Sequence, residues 1–151
     1  DLWLKGYDNA ISESEIEGYE LFKEKGCITC HNGIGVGGNT YQKFGLAKPY
    51  EKDTQTLGRY NVTKKEQDKY VFKVPLLRNI ALTAPYFHDA STWDLSEAVT
   101  IMAEYQLGVS LSDEETIKVV AFLKTLTGDQ PQIVFPTLPP STNTTPQPNR
   151  N

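Results

Sequence analysis

A short segment near the start of the chain, CITCH at positions 27–31, has the residue types and spacing to do chemistry. Two residues separate Cys27 from Cys30, and His31 follows at once, which is the attachment pattern of a c-type haem. In that pattern the two thiols add to the vinyl groups of the porphyrin, and one helical turn presents both to the same edge of the ring. The adjacent imidazole then becomes the proximal ligand of the iron.

Three other interpretations of the cysteine pair are a disulfide, half of a zinc site and a thioredoxin-like redox pair. A zinc site of this kind needs a second ligand pair, but the chain contains no further cysteine. A thioredoxin-like pair does not require a histidine in the next position. The sequence therefore predicts one covalently bound haem c.

The length, charge and hydropathy of the chain limit the classes of protein to which it can belong. The 151 residues suffice for one domain, or for one domain with a tail. A formal charge of -4 argues against nucleic acid as a partner, and no apolar run approaches the roughly 20 residues of a membrane span. Because haem c is attached outside the bacterial cytoplasm, we expect a bacterial periplasmic location. No secretory signal opens the chain, so we expect a mature or truncated protein.

Two helices with clear boundaries frame the sequence. Ser12 and Glu15 form a capping box for a first helix over 13–25, which leads directly into Cys27. Ser112 and Glu115 form a second box, before an apolar run that stops at Gly128. Gly18 would allow these helices to cross closely. The sequence therefore predicts an all-α haem domain of the cytochrome c type with long loops.

The region between these helices is expected to be mostly irregular. Glycines at positions 33, 35, 37 and 38 predict a loop over 32–45, and glycine lets backbone approach a haem face. Short helices are predicted around 57–60 and 64–70, followed by an extended apolar piece over 71–77. Asp94 or Ser96 would cap a further helix that continues to about Tyr105.

Composition changes after Asp129 to proline, serine, threonine and asparagine, which bury little surface. We therefore divide the chain into a haem domain at 1–130 and a proline-rich tail at 131–151. Ile133, Val134, Phe135 and Leu138 would strap the first part of the tail onto a surface. We expect the remainder, beyond about Pro140, to be disordered.

Two side chains compete for the sixth position on the iron. Met102 is the only methionine of the chain and lies on a predicted helix between the haem motif and the last helix. A lone methionine on a helix is usually core filler, but a thioether ligand would raise the reduction potential, as suits an electron carrier. His88 lies in a turn-like segment and would ligate the iron, hydrogen-bond a propionate or cap a loop. The Met/His ligation of c-type cytochromes favours Met102.

Several segments together resemble one protein family over nearly the whole chain. They are GYELF at 18–22, GCITCHNG at 26–33, KVPLLRNIALTAPYFHD at 73–89, EAV at 97–99 and MAEYQLG at 102–108. This set is similar to the second haem domain of bacterial dihaem cytochrome c peroxidases. The central segment is far more specific than the haem motif alone.

The resemblance implies the role of the domain and its partners. In that family the C-terminal domain holds a high-potential haem, with ligands matching His31 and Met102. Electrons come from a small c-type cytochrome or a cupredoxin and pass to a peroxidatic haem on an N-terminal domain, where hydrogen peroxide is reduced. The resemblance also implies a homodimer of the full enzyme, and a calcium ion at the domain junction bound by backbone carbonyls matching Thr83 and Pro85.

The chain departs from that family in two ways. It has a single haem motif, so the peroxidatic haem is absent, and Ala90 stands where the family's glycine is expected. The leading hypothesis is the electron-transfer domain of a peroxidase, which exposed Trp3 and Leu4 side chains would favour. The alternatives are a stand-alone monohaem cytochrome c carrier, and an isolated peroxidase from whose iron Met102 would have to dissociate.

Overall fold

The computed structural model describes residues 1–50 and 56–146. In these ranges the chain forms α1 (Glu13–Glu24), β1 (Tyr41–Lys43), α2 (Tyr60–Thr63), β2 (Val71–Lys73), α3 (Leu95–Ile101) and α4 (Asp113–Thr125). A π-helical segment, Met102–Leu107, continues α3. The rest is short 3-10 turns and loops, so the predicted all-α class is confirmed, with one small sheet added.

Both predicted capping boxes are present and begin the two longest helices. In α1 the Ser12 hydroxyl accepts from the backbone N–H of Glu15, whose carboxylate accepts from the backbone N–H of Ser12. Ser112 and Glu115 repeat the arrangement at the start of α4. Each box satisfies backbone donors that the first helical turn leaves unpaired, and this is why both helices begin where the sequence predicts.

The α1 and α4 helices cross at Gly18, as expected from the sequence. A Cβ atom at Gly18 would lie only 1.9 Å from the backbone carbonyl oxygen of Lys118, so the two backbones are nearly in contact. The Lys118 side chain also binds Glu17 across the crossing, with 3.0 Å between Nζ and Oε2. The core lies beside this contact and consists of Phe22, Leu77, Val119, Phe122 and Leu123.

The middle of the chain differs from the sequence prediction. Instead of short helices around 57–60 and 64–70 there are α2, over Tyr60–Thr63, and a single 3-10 turn, Glu66–Asp68. The glycine-rich stretch expected to be all loop contains β1, which pairs antiparallel with β2 in the register Gln42 to Phe72. Residues 51–55 of this region lie outside the described ranges.

The predicted helix over 94–105 is present but changes its winding halfway. Asp94 caps it, since its carboxylate accepts from the backbone N–H of Glu97 at 2.9 Å. Regular α-helix ends at Ile101, and the wider π-helical segment then continues to Leu107. Gly108, with φ of +69°, closes the segment in the left-handed conformation that glycine adopts without strain.

The chain ends present apolar side chains to solvent. In the tail Ile133, Val134, Phe135 and Leu138 are between 66% and 91% exposed. The packing of this stretch onto a surface and the domain boundary at residue 130 stay predictions. Residues 147–151 of the tail lie outside the described ranges. Leu4 is 74% exposed, whereas Trp3 packs edge-on against the Tyr19 ring at 5.8 Å. No helix in the described ranges is long and apolar enough to cross a membrane.

The helix crossing gives a stability prediction. Gly18→Ala should lower the free energy of unfolding by about 1–3 kcal/mol, because the added methyl group must push α4 away from α1. Thermal denaturation of the haem-loaded chain measures the change. Ser14→Ala, on the exposed side of the same helix, is the matched control and should have little effect. Equal stability of the two variants would contradict the close crossing.

Candidate haem site

The haem motif lies on the wall of a cavity of about 520 Å³, between α1, the sheet, α3 with its π-helical segment, and α4. Most of its lining is apolar, as is usual for cofactor pockets of this size. The predicted haem residues Cys27, Cys30, His31 and Met102 all line this one cavity. The fold thus brings together side chains that are far apart in the sequence.

The two cysteines are presented by a tight turn directly after α1. Gly26, with φ of +94°, redirects the chain, and Cys27–Thr29 then form a 3-10 turn. The Cys27 carbonyl accepts backbone N–H groups from Cys30 at 3.3 Å and from His31 at 3.0 Å. Both thiols are free, and burial raises the pKa of the Cys27 thiol, so this group is held as a thiol.

The His31 side of the cavity is built by glycines that press against the segment after β2. A Cβ atom at Gly37, which has φ of +126°, would lie 2.1 Å from the Pro75 carbonyl oxygen and 3.2 Å from His31 Nδ1. A Cβ atom at Gly35 would lie 2.2 Å from the Leu76 side chain. Larger residues would push this loop away from residues 75–76. Glycine at 35 and 37 therefore allows the close packing of the loop beside the His31 imidazole.

The His31 ring is held in the state that a metal ligand needs. Burial is the main cause of its lowered pKa, and backbone groups of Val36 and Pro75 act in the opposite direction. The imidazole is therefore neutral at neutral pH. Its Nδ1 atom is buried and has no hydrogen-bond partner within the described residues.

Met102, which also lines the cavity, is the first residue of the π-helical segment. Such wider turns are rare and are frequently found at functional sites. Gln106, four residues further on, also lines the cavity and is only 9% exposed. The sequence prediction assigned it no role. The available signal was that this polar residue lies at helical spacing from Ala98 and Ala103, which are both buried.

His88 stands in the aromatic part of the wall. Its ring stacks on Phe72 with centroids 4.0 Å apart and meets Phe44 edge-on at 5.4 Å. The side chain is exposed at the rim of the cavity. Thr83 and Pro85, the predicted calcium residues, also line the cavity. No cluster of three or more His, Cys, Asp or Glu side chains forms a metal site in the ranges described.

A c-type haem fits these residues. The cavity is apolar and of suitable size, two thiols and a buried neutral imidazole reach it from one short turn, and glycines keep backbone close to the imidazole. The roles of His31 and Met102 as iron ligands stay predictions that this arrangement allows.

Comparison with known proteins decides the family. The family model described as cytochrome c matches residues 16–127, which is most of the chain. The chain belongs to the cytochrome c family. Members of this family bind haem c covalently, and the attachment of the haem at 27–31 stays a prediction from the motif.

Individual relatives confirm the resemblance to bacterial cytochrome c peroxidases. A cytochrome c551 peroxidase of Nitrosomonas europaea is 54% identical over 147 residues, 97% of this chain and 44% of that protein. The cytochrome c551 peroxidase of Pseudomonas aeruginosa is 47% identical over 153 residues, again 44% of its length. This cytochrome c domain thus spans less than half the length of these curated relatives.

A solved structure agrees with the fold. The crystal structure of a MauG-like protein associated with microbial copper homeostasis has a TM-score of 0.66 and 27% sequence identity. The match covers 79% of this chain and 48% of that one.

The attachment turn gives a direct prediction. In the double variant Cys27→Ala/Cys30→Ala, acidified organic solvent should extract all the haem, whereas the unaltered chain should keep essentially all of it with the denatured polypeptide. Each single variant should weaken attachment, since one thioether bond remains. Absorbance of the two phases measures the partition. Full retention of haem by the double variant would rule out attachment at these thiols.

The segment after His88 gives a second prediction. Ala90 has φ of +54°, a left-handed conformation that costs a non-glycine residue about 1–2 kcal/mol. Ala90→Gly should therefore raise the free energy of unfolding by about 0.5–1 kcal/mol, after the greater unfolded-state entropy of glycine is subtracted. Ala121→Gly, inside α4, should instead lower it by about 1 kcal/mol. Equal signs in thermal denaturation would contradict the strain at Ala90.

Proposed function

We propose that this cytochrome c domain is an electron relay whose iron is closed to peroxide. The observation that carries the proposal is that His31 and Met102, which are far apart in the sequence, line the same cavity. An iron bound by both would have no free position for a further ligand. A closed iron suits electron transfer better than chemistry on a bound substrate.

The residues of the chain have separate tasks in this relay. The bound haem supplies one-electron chemistry. Cys27 and Cys30 would hold the haem, and the neutral His31 imidazole would be one ligand of its iron. The Met102 thioether would be the other and would raise the reduction potential. Apolar side chains such as Phe22, together with other members of the lining, keep water from the ring.

We propose that the relay serves a cytochrome c peroxidase, by passing electrons to a peroxidatic haem on an N-terminal domain. Support comes from the 54% identity to a peroxidase more than twice the matched length. The match covers 97% of this chain and so includes the central 73–89 segment, which a simple carrier does not need. A stand-alone carrier would use the same cavity, and the relatives favour the peroxidase.

The same resemblance supports further proposals about the setting of this domain. We propose a small c-type cytochrome or a cupredoxin as electron donor, a homodimer of the complete enzyme and a bacterial periplasmic location. Thr83 and Pro85 are proposed as carbonyl ligands of a calcium ion at the domain junction. Calcium takes such oxygen ligands, and the remaining ligands would come from the other domain and from water.

The relay predicts how the two candidate sixth ligands respond to substitution. Met102→His should lower the reduction potential by roughly 0.1 V or more, because a second imidazole replaces the thioether while the haem stays attached. The weak far-red band of the oxidised iron–sulfur bond should disappear. His88→Leu should leave both the band and the potential nearly unchanged. Redox titration followed by absorbance measures both quantities.

Peroxide reactivity tests whether the iron is closed. The reduced, haem-loaded chain should be oxidised slowly by hydrogen peroxide, and Met102→Ala should react at least tenfold faster because it opens the sixth position. Stopped-flow absorbance follows both reactions. Rapid peroxide turnover by the unaltered chain, equal to that of Met102→Ala, would overturn the relay. Absence of the far-red band from the unaltered chain, together with a reduction potential that changes in His88→Leu but not in Met102→His, would assign the ligand to His88.

A further inference from the structure

The π-helical segment that begins at Met102 is braced by the chain that follows β1. Residues 43–48, which begin with the last residue of β1 and are here called the 43–48 loop, contact this segment. The backbone N–H groups of Ala47 and Lys48 both donate to the Tyr105 carbonyl, at 3.0 and 3.1 Å. Gly108, at the end of the segment, is so close that a Cβ atom there would lie 3.2 Å from the Ala47 side chain.

Gln106 adds a buried side-chain connection between these two elements. Its Oε1 accepts the backbone N–H of Gly45 at 3.1 Å, and its Nε2 donates to the Lys43 carbonyl at 3.0 Å. Both ends of the amide are thus used, and the residue is 9% exposed. A buried amide with donor and acceptor both satisfied resists displacement, because moving it would leave polar groups unpaired away from water.

The position of Gln106 relates these contacts to Met102, the proposed iron ligand. Gln106 and Met102 lie four residues apart on the same short segment, and both line the cavity. The 43–48 loop is itself continuous with β1, which is paired with β2. Any sliding or unwinding of the segment that withdrew the Met102 sulfur would have to break the two hydrogen bonds of Gln106.

We propose that Gln106 is a positioning residue that fixes Met102 against the iron by tying the π-helical segment to the 43–48 loop. This inference rests on the proposed role of Met102 as sixth ligand. Gln106 touches neither substrate nor iron in this role. It acts by lowering the population of states in which the thioether is withdrawn, and so keeps the sixth position closed.

Imidazole added to the oxidised, haem-loaded chain is the probe, because it binds the iron only where Met102 is displaced. Gln106→Leu keeps a similar volume but removes both hydrogen bonds, and should bind imidazole about tenfold more tightly. The far-red band should also weaken. Ala121→Gly, in α4 and outside the cavity lining, is the matched control for general destabilisation. It should lower the melting temperature without changing imidazole affinity.

The outcomes separate this inference from the proposed function. If Gln106→Leu binds imidazole no more tightly than Ala121→Gly, the positioning role is wrong. If Met102→Ala binds imidazole no more tightly than the unaltered chain, Met102 is not the ligand and the proposed function fails first. Should Gln106→Leu not fold with haem, Gln106→Glu carries the test. It keeps the acceptor for Gly45, loses the donor to Lys43, and should show a smaller increase in the same direction.

Discussion

The close crossing of α1 and α4 is the contact on which the rest of the structure depends. Because Gly18 lets the backbones approach, Phe22 on α1 and Phe122 on α4 meet with ring centroids 5.3 Å apart. The same helix α1 ends at the turn that carries Cys27 and His31. A shift of α1 would therefore move the thiols and the imidazole together, away from the walls contributed by α3 and α4. Packing at one glycine thus sets the position of the attachment turn.

The elements that the sequence predicted well are those with strong local signals. Two capping boxes, a terminal glycine and helical spacing of apolar residues determine α1 and α4 almost without tertiary context. The haem motif was equally clear, since its residues and spacing are local. The left-handed conformation at Ala90 also agrees with the expectation of a glycine at that position.

The features missed by sequence reasoning depend on contacts between distant segments. Strand β1 is three residues long and exists because β2, about thirty residues later, supplies its hydrogen-bond partners. The change from α- to π-helical winding at Met102 is accompanied by contacts with the 43–48 loop, which no local pattern shows. The sequence did not predict the role of Gln106, because its two partners are backbone groups more than sixty positions away.

The turn at 27–31 and the part of the cavity wall at Met102 differ in how much of the chain must fold before each can form. Presenting both thiols needs only the turn at 27–31, closed by hydrogen bonds within five residues. The wall at Met102 needs segments separated by some seventy residues to meet, and such long loops close late and at an entropic cost. Covalent capture of the porphyrin can thus precede tertiary assembly, and the bound ring can then serve as the surface on which the remaining chain condenses.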